Sequence, residues 1–385
     1  MLGLTWESLL AAQALASNAV PVAAFRAGIF SDGMIETLLA EGAIRPAMPL
    51  AEGQVQPASL DLRLGKRAWR IRASFLPGKN GTVAERIAHY ALHEIDLTPG
   101  AVLETGCVYI AEVLEDLALP EQVSASANPK SSTGRLDVFT RVIVDQASAF
   151  DQITPGYAGP VFAEISPRTF PVLVRTGSRL SQIRFRRGEA RVDDRALLAL
   201  HNRSRLVDQD TALIQDGVAL SVDLSGFDAH GLVGYRGKRH TGLVDVDKPG
   251  AYRKAEYWEP IFLSGRRELI LDPNEFYILA SKEAVHVPPD HAAEMVPFDA
   301  QVGEFRVHYA GFFDPGFGHA EAGGAGARGV LEVRSRDVPF ILEDGQVVGR
   351  LIYERMAEMP RALYGREKAS NYQAQGLKLS KHFID

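Results

Sequence analysis

The chain of 385 residues contains one cysteine, Cys107. A disulfide within the chain is impossible, and a zinc site built on paired thiolates is excluded. No apolar run approaches the roughly 20 residues that a bilayer-spanning helix needs. The N-terminus lacks a charged segment followed by a long apolar core, so no secretory signal is expected. Positive charge is not in excess: 42 Lys and Arg face 48 Asp and Glu, a net of −6. That balance argues against a broad nucleic-acid-binding surface and leaves room only for a local basic pocket. The ten histidines show neither HExxH nor H-x-E…C-x-x-C spacing, and no GxxxxGK[ST] occurs. Zinc sites of the nucleobase-deaminase kind and Walker-type phosphate loops are thereby excluded, and no metal ligands are expected. These absences imply a cytoplasmic globular protein of about two domains, with no membrane or nucleic-acid partner.

Hydrophobic residues make up 46% of the chain, and 35 Gly and 21 Pro are scattered singly through it. That pattern predicts short strands joined by turns. The stretch DGMIETLLAE (32–41) has helical spacing of apolar residues. In QPASLDLRLG, Leu60, Leu62 and Leu64 alternate with polar residues, and Gly65 closes the run as a half-buried strand. Similar runs follow, and the expected fold is mainly β, a sandwich or jelly roll with short helices. The second half echoes the first. LETGCVYIAEVLEDLALPEQV from Leu103 matches LDPNEFYILASKEAVHVPPDH from Leu271, an ungapped offset of 168 (271 − 103). The same register places Glu164 over Glu332 and Pro171 over Pro339. The turn TPGYAG (154–159) resembles DPGFG (314–318) at an offset of 160 (314 − 154), so the second copy loses residues before the turn and gains them after it. A tandem duplication of one β-domain follows, with domains at 1–200 and 201–385.

The copies differ where chemistry would sit. NPKSSTGRLDVFTRV (128–142) gathers Lys130, Ser131, Ser132, Thr133, Gly134 and Arg135. Small polar residues let backbone N–H groups face an anion, and the two cations add charge. A polar connection capping a helix would use the same residues. The second copy has VPFDAQVGEFRV (296–307) at this place, without the lysine or the serines, so it reads as scaffold. Glu164 lies in VFAEIS between apolar neighbours. A desolvated carboxyl there would have a raised pKa and suit proton transfer, whereas an outward-facing one would be ordinary. The tail LYGREKASNYQAQGLKLSKHFID (363–385) is either a disordered terminus or a lid that orders over a ligand.

KSSTGRLD, ITPGYAGPVFAEIS and FPVLVRTGSRLSQIRF, with the tail YGREK…NYQAQG, resemble the dCTP deaminase branch of the trimeric dUTPase-like superfamily, in a double-length form. The resemblance implies a jelly roll, a homo-oligomer with three-fold symmetry, and sites shared between neighbouring β-domains. It implies zinc-independent hydrolysis of dCTP to dUTP and ammonia, feeding dUMP and dTTP synthesis, with Mg²⁺ accompanying the triphosphate. Carried over by position, Glu164 becomes the proton shuttle, Ser131 positions the water, and Arg135 stands beside the base. Lys130, Ser132, Thr133 and Gly134 become the phosphate loop, and Thr154, Phe162 and Ala163 substrate contacts. Tyr364, Lys368 and Gln375 belong to the lid. The family's turn carries an acid before Pro-Gly, where the first copy has Thr154 and the second Asp314. One expected arrangement is therefore mixed: the loop and Glu164 from the first copy, Asp314 and the tail from the second. If the second copy is scaffold only, Glu332 is dispensable; whether sites combine both copies through Asp314 and Glu332 stays open. Two alternatives stay open. Asp314 allows a bifunctional deaminase and dUTP diphosphatase, and the missing second loop allows a non-catalytic nucleotide-binding regulator.

Overall fold

The alternation at Leu60, Leu62 and Leu64 does build a strand, but the strand does not stop at Gly65. In the computed structural model, which describes residues 26–297, 305–308, 311–335, 337–365 and 375–385, it runs Leu60–Ile71. Residues 60–63 pair with the strand Arg179–Arg187, and residues 64–71 pair with Val108–Val113. An irregularity between Leu64 and Ala68 bends the strand from one layer to the other. Gly65 sits in that bend because a Cβ there would lie 2.7 Å from the Cβ of Glu112. The glycine marks a close approach, not an end. The path continues through Val161–Pro167 to Val138–Val144 on one side and through Val123–Pro129 on the other. This is the expected β-rich architecture.

Its helices are short. Asp32–Ala40 covers the expected apolar stripe, and the Ser31 hydroxyl caps it by accepting from Met34 N. Val83–Tyr90 was not expected. Its signal is a capping box, Thr82 with Glu85, and it buries only Val83 and Ile87.

The second half repeats the pairing at the expected spacing. Val123 faces Arg187, and His291 faces Arg355. Leu103 faces Val172, and Leu271 faces Phe340. The Tyr109 hydroxyl accepts from Glu104 N at 3.1 Å, and the Tyr277 hydroxyl accepts from Asp272 N at 2.9 Å. Ile153 pairs with Ala125 and Phe313 with Ala293, so the shortened stretch lies before this turn. The residues regained afterwards form the turn and short 3-10 helix Ala320–Ala322.

The helix Asp194–Arg203 joins the two sets of strands, yet their cores are not separate. Val244, Val246, Tyr257, Trp258 and Leu379 pack into the core of the first half. Val244–Asp245 adds a parallel strand beside Val172–Val174. The C-terminal strand Phe383–Ile384 pairs with Tyr252–Arg253, and Phe383 meets Phe170, Tyr257 and Trp258. Apolar burial at these positions, roughly 1.5–3 kcal/mol for each large side chain, is shared between residues far apart in sequence. The consequence is a cleft whose two walls come from different halves.

Candidate active site

Strand Val123–Pro129 runs out at Pro129, and the chain turns at Lys130 into the single helical turn Ser131–Gly134. Thr133 N and Gly134 N donate to the Lys130 carbonyl, and Lys130 N donates to Leu180 O. Lys130, Ser131, Ser132 and Arg135 line a cavity of about 660 Å³. Asp61, 2% exposed, orients the cations at one side. It accepts from Lys130 Nζ at 2.5 Å and lies 3.4 Å from Arg179 Nη1. Lys381 enters the same group, and burial, with Lys130 and Arg179 nearby, holds its pKa below the ordinary range. This cluster suits a multiply charged anion.

The facing wall belongs to the second half. Val330 and Glu332, two apart on strand Ala327–Ser335, line the cavity together, as alternate strand positions do. The Glu332 Oε1 lies 3.7 Å from Arg135 Nε, an ionic contact too long for a hydrogen bond. Burial pushes the Glu332 carboxyl up to about 8, although the Arg135 guanidinium pulls the other way. A carboxyl titrating near neutrality both gives and takes protons. Phe312, Phe313, Phe317 and Tyr364 supply aromatic surface; the Phe317 ring meets Phe313 edge-on at 5.0 Å and Tyr364 at 5.7 Å. Asp314 lines the cavity beside them, its carboxyl also pushed up by burial. Arg184 of the first half, fully buried, holds Asp314 at 3.3 Å and donates to Ala293 O at 3.1 Å.

The tail closes the construction in cis. Arg135 Nη2 donates to Gln375 Oε1 at 3.1 Å, and Arg135 Nη1 donates to Lys378 O at 3.2 Å. Gln375 Nε2 donates to Arg328 O, and the Ser380 hydroxyl donates to Ser132 O at 2.8 Å. The arginine is fixed by the chain's own C-terminus.

Comparison with known proteins bears on this composite cleft. Residues 26–189 match the model of the 2'-deoxycytidine 5'-triphosphate deaminase (DCD) N-terminal domain, and residues 193–383 match that of the C-terminal domain. The chain belongs to the dCTP deaminase family. A crystal structure of 2'-deoxycytidine 5'-triphosphate deaminase from Agrobacterium tumefaciens is 60% identical, with a TM-score of 0.85, over 88% of this chain and 98% of that one. A dCTP deaminase of Halorubrum lacusprofundi is 35% identical over 162 residues, covering 41% of this chain and 76% of the relative. A dUMP-forming dCTP deaminase of Coprothermobacter proteolyticus is 30% identical over 158 residues, 41% of this chain and 81% of the relative.

Within this deaminase-family chain the expected residues divide. Lys130, Ser131, Ser132, Arg135, Tyr364, Gln375 and Asp314 line the cavity. Thr133 and Gly134 are buried behind the loop and lie outside the lining. Lys368 lies outside the described residues. Glu164 is not in the cavity, which corrects the expected placement. Strand register sets it opposite Arg141, whose Nη2 donates to Oε1 at 2.5 Å and whose Nε donates at 3.1 Å. The rings of Phe139 and Phe150 flank that guanidinium. Phe162 packs with Ile110 and Ile143 near helix Val83–Tyr90, Ala163 is core, and Thr154 is on an exposed turn, so none of the three reaches the cleft. Glu332, dispensable only if the second copy were scaffold, lines the cavity 3.7 Å from Arg135, where Glu164 was expected. A usable signal was present: an arginine in VFTRV that a neighbouring strand sets across from Glu164. Among the described residues no cluster of three or more His, Cys, Asp or Glu could hold a metal ion, and no helix is long and apolar enough to cross a membrane.

Proposed function

We propose that the protein hydrolyses dCTP to dUTP and ammonia at one composite site per chain, with Glu332 as the proton shuttle. The observation that carries this is a buried carboxyl, raised to about 8, in ionic contact with Arg135 at 3.7 Å on the wall of a cavity that Ser131 and Lys130 also line. The triphosphate would lie against Lys130, Arg179, Lys381 and the turn at Ser131 and Ser132. The deoxyribose would rest on Phe312, Phe317 and Tyr364 beside Asp314, and the cytosine edge would meet Glu332 and Arg135 from the cavity side.

The chemistry then balances with one carboxyl. Glu332 takes a proton from water as its oxygen bonds to C4, and passes that proton to N3. Arg135 and the Ser131 hydroxyl stabilise the polarised intermediate. Glu332 then takes the proton of the new C4 hydroxyl and gives it to the amino nitrogen. The C4–N bond breaks, ammonia leaves, and the uracil ring keeps hydrogen on N3. Magnesium would arrive with the triphosphate as part of the substrate, held by phosphate oxygens and water. Of the chain's carboxylates there, Asp247 already accepts from Arg175 and Ser178, so the lining offers few ligands of its own beyond Glu52. A three-fold homo-oligomer would add contacts beyond these walls, whose named residues all belong to one chain.

Product analysis with dCTP and Mg²⁺ tests the proposal: dUTP and ammonia support it, and dCTP binding without ammonia refutes it. A second reading, deamination followed by release of pyrophosphate and dUMP, is favoured by Asp314 in the cavity and by the dUMP-forming relative. Pyrophosphate in the same assay would decide for it.

A further inference from the structure

A composite site demands that Arg135 of one half and Glu332 of the other keep a set separation. Two residues beyond each of them, a second contact crosses the same interface. Asp137 and Arg334, 197 positions apart in the chain, form an ion pair through Oδ2 and Nη2, with the residues 1% and 8% exposed. The Thr169 hydroxyl donates to the same Asp137 oxygen at 2.6 Å, and Arg334 Nη2 also donates to Thr169 Oγ1 at 3.0 Å. Arg334 Nη1 donates to the carbonyl of Asn274.

Both members are tied to the site by backbone. Asp137 N donates to Gly134 O at 2.8 Å, so the turn that presents Arg135 also presents Asp137. Its φ of 55° lies in the left-handed region, which Asp and Asn tolerate better than most residues. Arg334 and Glu332 occupy alternate positions of one strand and share a face. The register that sets Arg141 opposite Glu164 and His308 opposite Glu332 gives a spacing of 167 on this strand (308 − 141), so Asp137 corresponds to Glu304, whereas Arg334 corresponds to the uncharged Ser166. The repeated fold therefore does not require the pair. A buried ion pair contributes little net stability against an apolar alternative, and fixing a register is the best-attested use of such buried polar contacts.

We propose that Asp137 and Arg334 are the positioning pair of the active site: they lock the register in which Arg135 meets Glu332, and so govern turnover rather than nucleotide affinity. This rests on the deaminase reading above.

The test uses the full chain and compares the wild type with Asp137→Asn, Arg334→Met and the double variant, by ammonia release over a range of dCTP and by thermal melting. Asparagine keeps the left-handed backbone, and methionine keeps the apolar stem. Each single variant is expected to lower kcat about tenfold to a hundredfold while KM moves less than about threefold, because the phosphate-facing residues are untouched. Each single variant also melts lower, since it leaves a buried group without its partner. The double variant recovers melting but not kcat. Wild-type kcat in any folded variant overturns the proposal, and so does failure of all three to fold, which would make the pair a structural bond only. A wild-type chain that binds dCTP and releases no ammonia refutes the deaminase reading instead, and this inference falls with it.

Discussion

Two glutamates occupy the same strand position in the two halves, each across from an isoleucine: Glu164 faces Ile110, and Glu332 faces Ile278. On the other side the first half sets Arg141 against Glu164, and the second sets His308 against Glu332. The first carboxylate is bonded by a cation of its own half. The second meets its cation, Arg135, across the interface and lies in a cavity. Local sequence makes both buried, and the source of the countercharge separates a structural ion pair from a candidate proton shuttle.

The most severe break in that contrast is Glu332→Gln. Ammonia release at saturating dCTP should fall by about 10²–10⁴-fold, because shape is kept and proton transfer is lost. Glu164→Gln should leave kcat within about threefold of wild type; equal losses would return Glu164 to the mechanism. The interface itself is probed by Arg184→Met, which leaves Asp314 buried without its guanidinium. Thermal or denaturant unfolding should show a loss of about 3–5 kcal/mol. Arg67→Met, which removes an exposed pair with Glu112, should cost less than about 1 kcal/mol.

A pH series sharpens the contrast further. Glu332 binds its proton more tightly in the folded chain, near 8, than in the unfolded chain, near its ordinary 4.5. Between those values the folded state holds more protons, so this residue's contribution to stability falls as pH rises. Glu332→Gln should melt higher than wild type at pH 9, by a difference on the order of a few kcal/mol, and should converge with it at pH 4. A milder break at the site itself is Gln375→Ala. Loss of one hydrogen bond to Arg135 should lower kcat/KM by about tenfold, read from the dependence of ammonia release on dCTP.

Much of the architecture was legible as periodicity. Leu60, Leu62 and Leu64 announced a strand, and the matched blocks at Leu103 and Leu271 announced two halves with the same pairing. The loop from Lys130 to Arg135 stood out by residue type, Tyr364 as an aromatic of the polar tail, and Gln375 only through the family resemblance. Gly65 misled because a strand end and a close approach between strands ask for the same residue. Glu164 misled because one carboxylate in an apolar strand looks like another until the neighbouring strand is known.

The amino-acid sequence alone determined the strand alternation, the 168-residue spacing, the charged loop and the two candidate glutamates, since these depend on neighbours a few positions away or on direct repetition. Only the tertiary structure decided which glutamate met Arg135. That choice is made by two surfaces docking through Arg184, Asp137 and the returning C-terminus, contacts between residues more than a hundred positions apart. Coulomb attraction and desolvation act through space, and no local pattern records which distant surfaces they will join.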